Sequence, residues 1–151
     1  MEVQNLHPDS IEIMPMDVTD LDNLNAQLQA SITKIGGLDV LVISSGTGEL
    51  NPDLDFGLEQ STISTNVEAF TFMANFAYRF FRNEVFGHLV GISSIAGLRG
   101  TGIAPAYNAS KAYQINYLEG LRQKAVKGKR NITITDSRPR FVKTTMAKGD
   151  G

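Results

Sequence analysis

Tyr107 and Lys111 stand four residues apart in the stretch APAYNASKAYQINYLEGL, with Ser94 thirteen residues before the tyrosine and Asn66 forty-one before it. Four residues along a helix bring a phenol and an ammonium onto one face. A free phenol has a pKa of about 10, and a cation within several ångströms favours the phenolate and lowers that value. A tyrosine placed in this way can give a proton to a carbonyl oxygen being reduced, or take one from an alcohol being oxidised. Alone, the pair is also what an exposed helix face shows, so its surroundings decide. The segment GHLVGISSIAG reads as a buried strand, Leu89 to Ile92, whose last residues Ser93 and Ser94 emerge into a loop of small residues. Ligands of open α/β sheets bind beyond the carboxyl ends of the strands, which is where this serine falls.

Strand and helix patterns alternate around these residues. IEIMPM reads as a strand and LDVLVI as a fully apolar, buried one. Between them Asp20 to Lys34 reads as a helix that stops at Gly36 and Gly37. A longer helix runs from Asp55 to Phe81, with Ile63, Val67, Phe70, Ala74, Ala77 and Phe81 recurring at intervals of three and four. HLVGIS follows as a strand, then a helix opened by Pro105 and closed near Gly128, with a second stripe at Ala106, Ala109, Tyr113, Tyr117 and Leu121. NITITD supplies the last strand. Four strands alternating with three helices imply right-handed crossovers and a parallel sheet, an α/β fold.

The strings ISSIAG, YNASK and ISTNV resemble the short-chain dehydrogenase/reductase family, nicotinamide-dependent oxidoreductases on a Rossmann fold. The resemblance runs from about Ile11 to about Thr145. It implies a partial Rossmann-like, doubly wound parallel sheet and hydride transfer between NAD or NADP and a small carbonyl or alcohol substrate. Carried over, Tyr107 is the general acid/base, while Lys111 lowers its pKa and holds the nicotinamide ribose. Ser94 orients and polarises the substrate carbonyl, and Asn66 fixes a water that links Lys111 to solvent. Ser93 is then a structural neighbour, because the thirteen-residue interval selects Ser94. The cofactor-binding set implied is Asp17 and Val18 at the adenine, and Ser45, Gly46, Tyr107, Lys111, Pro139, Val142 and Thr144 elsewhere. Read without the resemblance, Asn66 could simply satisfy backbone groups within its helix, and Asp17 could be a strand end or a helix cap.

The sequence departs from the family in two places. A dinucleotide site needs a glycine-rich turn after the first strand, so that backbone amides and a helix N-terminus reach the pyrophosphate. Ten residues precede IEIMPM and none is glycine, so the family's first two strands and its glycine-rich loop are expected to have no counterpart. SGTGELN only imitates that loop: Gly46 and Gly48 supply two glycines, but Asn51 stands where the third belongs. It sits instead where the family has NNAG. At the other end Pro139 is followed by Arg140 where the family has glycine, and an arginine there is expected to crowd the nicotinamide or move the loop. These departures leave two readings: an oxidoreductase by descent, and a truncated remnant that is inactive as it stands and acts as a folding or association module. Both expect a homo-oligomer through the helices at 55–82 and 105–127.

Composition sets outer bounds. A chain of 151 residues that is 42% hydrophobic can bury one modest core, so one incomplete NAD(P)-binding domain over 1–151 is expected. A net charge of −2 gives no global case for nucleic acid. The chain has no cysteine, and its histidines, His7 and His88, lack metal-ligand spacing. No apolar run approaches the roughly 18 residues of a membrane span, and the start MEVQNLHPDS has no signal-peptide pattern, so a cytoplasmic protein without membrane partners is expected. Between Arg122 and Lys148 lie nine of the 14 basic residues; Lys124, Lys127, Lys129 and Arg130 surround a helix C-terminus, where cations suit the dipole.

Overall fold

The computed structural model describes residues 10–140, and the chain divides into two units, Met1–Leu38 and Asp39–Gly151. In the first, helix α1 (Leu21–Ile35) starts where the Asp20 carboxylate accepts from the backbone N–H of Asn23 at 3.3 Å and from its side-chain amide at 2.7 Å. It ends at Gly36, whose φ of 83° lies in the left-handed region that glycine enters without a Cβ penalty. Leu24 and Leu28 are its buried residues. The preceding IEIMPM segment forms no strand. A strand exists only through a ladder partner, and this segment has none among the described residues; an apolar–polar pattern alone cannot supply one.

The second unit contains β1 (Val40–Ile43), α2 (Phe56–Ile63), a π turn (Ser64–Ala69), α3 (Phe70–Phe81), β2 (Gly87–Ile92), a 3-10 turn (Ile95–Leu98), α4 (Pro105–Lys127) and β3 (Ile132–Ser137). Among the described residues the sheet has three strands rather than four, in the order β1-β2-β3, all parallel, with Val42 opposite Val90 and Val90 opposite Thr135. Strand β1 is not the fully buried strand its apolar run suggests: Val40 is 48% and Val42 53% exposed. Val40 and Val42 lie on one face of the strand and the buried Ile43 on the other, and burial on both faces belongs to strands covered on both. The core of this unit gathers Phe70, Ala74, Ala77 and Phe81 from α3, Leu89 from β2, Leu118 and Leu121 from α4, and Ile132 and Ile134 from β3. Fully burying each phenylalanine stabilises by about 1.5–3 kcal/mol.

The expected helix 55–81 is continuous in chain direction but not in phase. Six residues wind as π helix, and the additional residue rotates α3 out of the 3.6-residue repeat set by α2. Ile63, expected on the apolar stripe, is 41% exposed, while Thr62, Asn66 and Ala69 are buried. On α4 the buried face is Ala106, Ser110, Gln114, Leu118, Leu121 and Ala125. Ala109 and Tyr113 from the expected stripe are exposed, and Tyr117 is half-buried. The rings of Tyr113 and Tyr117 stack at 5.6 Å, with the Tyr113 hydroxyl 2.8 Å from that of Thr71. Pro105 occupies the first turn of α4, where its missing N–H has no helical partner to lose, and Lys124 and Lys127 lie in the last turn.

Candidate active site

The end of β2 is fixed before the site begins. Ser93 donates its hydroxyl to the carboxylate of Asp136 on β3, and its N–H to the Ser137 carbonyl at 2.9 Å. Ser93 is thereby occupied in holding two strand ends together, and Ser94 is the serine that leaves the sheet. Ser94 is extended, and its Oγ accepts from Ala96 N at 3.1 Å, opening the 3-10 turn. The Ile95 N–H binds the Pro139 carbonyl at 3.2 Å. The turn then lies directly on α4: a Cβ on Gly97 would stand 2.6 Å from the carbonyl carbon of Lys111. Asn108 clamps the same loop, donating to Ala96 O at 2.9 Å and accepting from the N–H and hydroxyl of Thr101 at 3.0 and 2.6 Å.

Lys111 is only 5% exposed. Its Nζ lies 5.8 Å from the centroid of the Tyr107 ring and donates to Ile92 O and to Gln114 Oε1, each at 3.1 Å. Burial pushes its pKa down from 10.5 to about 8, which leaves it mostly protonated at neutral pH. A cation is therefore maintained beside the phenol, anchored to a strand carbonyl two residues before Ser94.

Asn66 is fully buried inside the π turn, a feature that often marks functional sites. Its Oδ1 accepts from Thr47 N at 2.9 Å, and its Nδ2 donates to Thr47 O at 2.6 Å and to Ser110 Oγ at 3.0 Å. Ser110 in turn donates to the Tyr107 carbonyl at 2.8 Å. Asn66 thus ties the loop after β1 to the first turns of α4. That loop comes close to Lys111, Asn66 and Tyr107 through its glycines. A Cβ on Gly46 would stand 3.3 Å from Lys111 Nζ and 3.4 Å from Asn66 Oδ1; one on Gly48 would stand 2.2 Å from Tyr107 Cδ2. The glycines that imitate a phosphate turn in the sequence serve here to admit the backbone against Lys111 and Tyr107. Next to them the Ser45 hydroxyl is buried with no hydrogen-bond partner.

The remaining sequence candidates divide. Asp17 is exposed and accepts from the N–H and hydroxyl of Thr19 at 2.9 and 2.7 Å, which holds its carboxyl below the usual range; Val18 is half-buried in the same turn. Both belong to the first unit. Arg140 is exposed, and Val142 and Thr144 lie outside the described residues. Sequence reasoning passed over Asn108, Ser110 and Gln114. All three are polar and buried on α4, and their signal was the recurrence of polar types at core spacing around Lys111.

A family model described as short chain dehydrogenase matches residues 1–150. An uncharacterized oxidoreductase of Staphylococcus aureus (strain USA300) is 27% identical over 143 residues, covering 93% of this chain and 61% of the relative. Another uncharacterized oxidoreductase, from Myxococcus xanthus (strain DK1622), is 34% identical over 141 residues, covering 91% of this chain and 54% of the relative. Among solved structures, ElxO with NADP bound superposes with a TM-score of 0.83 at 27% identity, over 97% of this chain and 61% of that one. The chain belongs to the short-chain dehydrogenase family, and it spans little more than half the length of the relatives it matches.

No helix of the described residues is long and apolar enough to cross a membrane, and among those residues no three His, Asp or Glu side chains form a group that could hold a metal ion.

Proposed function

We propose that this chain carries the proton-transfer half of a nicotinamide-dependent oxidoreductase that interconverts a small carbonyl compound and its alcohol. The observation that carries this reading is the Lys111 ammonium, held by the Ile92 carbonyl and the buried Gln114 amide 5.8 Å from the Tyr107 ring. When bound, NAD(P)H supplies the hydride that reaches the carbonyl carbon. Tyr107 gives its hydroxyl proton to the carbonyl oxygen, so that one hydride and one proton convert C=O to CH–OH, and the phenolate left behind is stabilised by Lys111. Ser94 Oγ supplies a hydrogen bond that orients and polarises the same oxygen. Asn66 keeps the loop after β1 against Lys111 and Tyr107. Reversal of each transfer oxidises the alcohol.

Two features favour the nicotinamide end of such a cofactor. The orphaned Ser45 hydroxyl is a polar group awaiting a partner, and Gly46 leaves room beside Lys111 that a side chain would fill. Ser45, Gly46, Tyr107, Lys111 and Pro139 would hold that end, with Val142 and Thr144 next along the chain. The NADP in ElxO supports the cofactor class. The pyrophosphate end is different: no glycine-rich turn opens a helix among the described residues, so the isolated chain is proposed to bind the dinucleotide weakly. Calorimetric titration with NADH and NADPH tests this. The weak-binding reading expects no micromolar affinity, and a micromolar Kd would overturn it. The activity itself is tested by joining a family segment with its glycine-rich loop before Met1 and a family C-terminal segment after Gly151, then monitoring NAD(P)H oxidation with a panel of small aldehydes and ketones. Turnover supports the proposal; a folded, cofactor-binding chimera without turnover on any of them contradicts it.

A further inference from the structure

A helix normally consumes the carbonyl of every interior residue, but the π turn alters the pairing around Asn66. The side chain of Gln114 reaches the Asn66 carbonyl, donating to it from Nε2 at 2.9 Å. The other end of the same amide accepts from Lys111 Nζ at 3.1 Å. Gln114 and Asn66 are both fully buried. One side chain therefore connects the cation beside Tyr107 to the backbone of the π turn.

The surroundings make that choice of residue informative. Gln114 lies on the core face of α4 between Ser110 and Leu118, where leucine or methionine would fill the space without two polar groups to satisfy. A buried amide is tolerable there because both ends are bonded, and each bond engages a group the site uses. Facing the Lys111 ammonium are the Tyr107 phenol on its own helix, the Ile92 carbonyl from β2, Gly46 from the loop after β1, and the Gln114 amide. Its hydrogen-bond acceptors are neutral dipoles, and no ion pair among the described residues involves Lys111.

We propose that Gln114 is a positioning residue: it bridges Lys111 Nζ to the Asn66 carbonyl and so fixes the ammonium beside Tyr107. The connection between Lys111 and Asn66 then runs through a carboxamide. A water in that position accepts one proton while releasing another; a carboxamide does so only through its unfavourable imidic acid form. Gln114 therefore orients the cation and does not pass its proton on. This rests on the proton-transfer reading for its significance, but its test uses neither cofactor nor turnover.

The experiment tracks the Lys111 titration in the chain itself, by NMR of lysine labelled at Cε and Nζ, with Lys111→Met to assign the signal. Gln114→Leu deletes the acceptor, and the Lys111 midpoint is expected to fall by about one pH unit; Gln114→Glu puts a carboxylate oxygen in its place, and the midpoint is expected to rise by about one unit or more. Midpoints within about 0.3 unit of wild type in both variants would overturn the proposal, since a residue that only fills space would not move them. Should Gln114→Leu not fold, Gln114→Glu and the wild-type side-chain amide protons decide. Slow exchange of the Nε2 protons with solvent supports the bridge, and exchange at the rate of an exposed glutamine refutes it. Failure here would leave the role of Tyr107 standing, and failure of turnover would leave this bridge standing.

Discussion

Replacing Lys111 by methionine keeps the length and apolar bulk of the side chain and removes its titration. In the folded chain burial holds the Lys111 pKa at about 8, below the 10.5 of an exposed lysine. Below pH 8 folded and unfolded chains both carry the proton, and the folded state bears the whole cost of burying the charge. Between pH 8 and 10.5 the unfolded chain binds more protons than the folded one, so stability attributable to this group rises with pH. With 1.36 kcal/mol for each pH unit of difference, the gain from pH 7 to pH 10 is about 2.5 kcal/mol. Methionine also leaves Ile92 O and Gln114 Oε1 without their donor, but that loss is the same at every pH. Groups remote from Lys111 contribute equally with and without its ammonium and cancel in the difference, and carrying Tyr107→Phe in both proteins removes the phenol that the ammonium faces. Urea unfolding at pH 7, 8, 9 and 10 should therefore show the unfolding free energy of Tyr107→Phe, minus that of Tyr107→Phe with Lys111→Met, rising by about 2.5 kcal/mol. A difference that stays flat within about 0.5 kcal/mol would refute a desolvated, still ionisable Lys111.

Gly48→Ala places a methyl where 2.2 Å separates it from the Tyr107 ring, and should destabilise by about 1–3 kcal/mol in urea unfolding, whereas Gly46→Ala, with its nearest contacts at 3.3 and 3.4 Å, should cost under about 1 kcal/mol. Asn66→Ala removes side-chain bonds to Thr47 N, Thr47 O and Ser110 Oγ, and should cost about 2–4 kcal/mol by the same measurement. The stacked Tyr113 and Tyr117 face of α4, with Thr71 beside it, is proposed to pack against a second copy. Sedimentation of wild type at tens of micromolar should show a dimer or larger species that Tyr113→Glu converts to monomer, and a clean wild-type monomer would contradict it.

Much of the site could be read from the sequence because its positions are set by local rules. Pro105 fixes where α4 starts, so Tyr107 and Lys111 fall in its first two turns, and HLVGIS ends where Ser94 must emerge. Gly36 likewise marks the end of α1. The features that escaped are non-local. The π turn carries no residue signature, so a constant 3.6-residue period put Ile63 on the core and missed the phase slip that buries Thr62 and Asn66. IEIMPM has the composition of a strand, but a ladder needs a partner that its own residues cannot specify. Val40 and Val42 are apolar yet half exposed for a related reason, since burial depends on what lies across the strand. SGTGELN was legible as glycine-rich but not as the backbone that approaches Lys111 and Tyr107, because spacing tells that glycine is needed and not which side chain needs the room. Gln114 offered only its polarity at a core position.

The central claim is that Tyr107 is the proton donor, and the most direct measurement is Tyr107→Phe in the chain completed by family segments at both ends and carrying Arg140→Gly. The substitution deletes the transferable proton and little else, so kcat for carbonyl reduction should fall by about 10²- to 10⁴-fold while NAD(P)H affinity by calorimetry stays within about threefold. If the completed chain folds, binds cofactor and turns over, yet Tyr107→Phe lowers kcat by less than about threefold, Tyr107 is not the acid and the assignment of this site is contradicted.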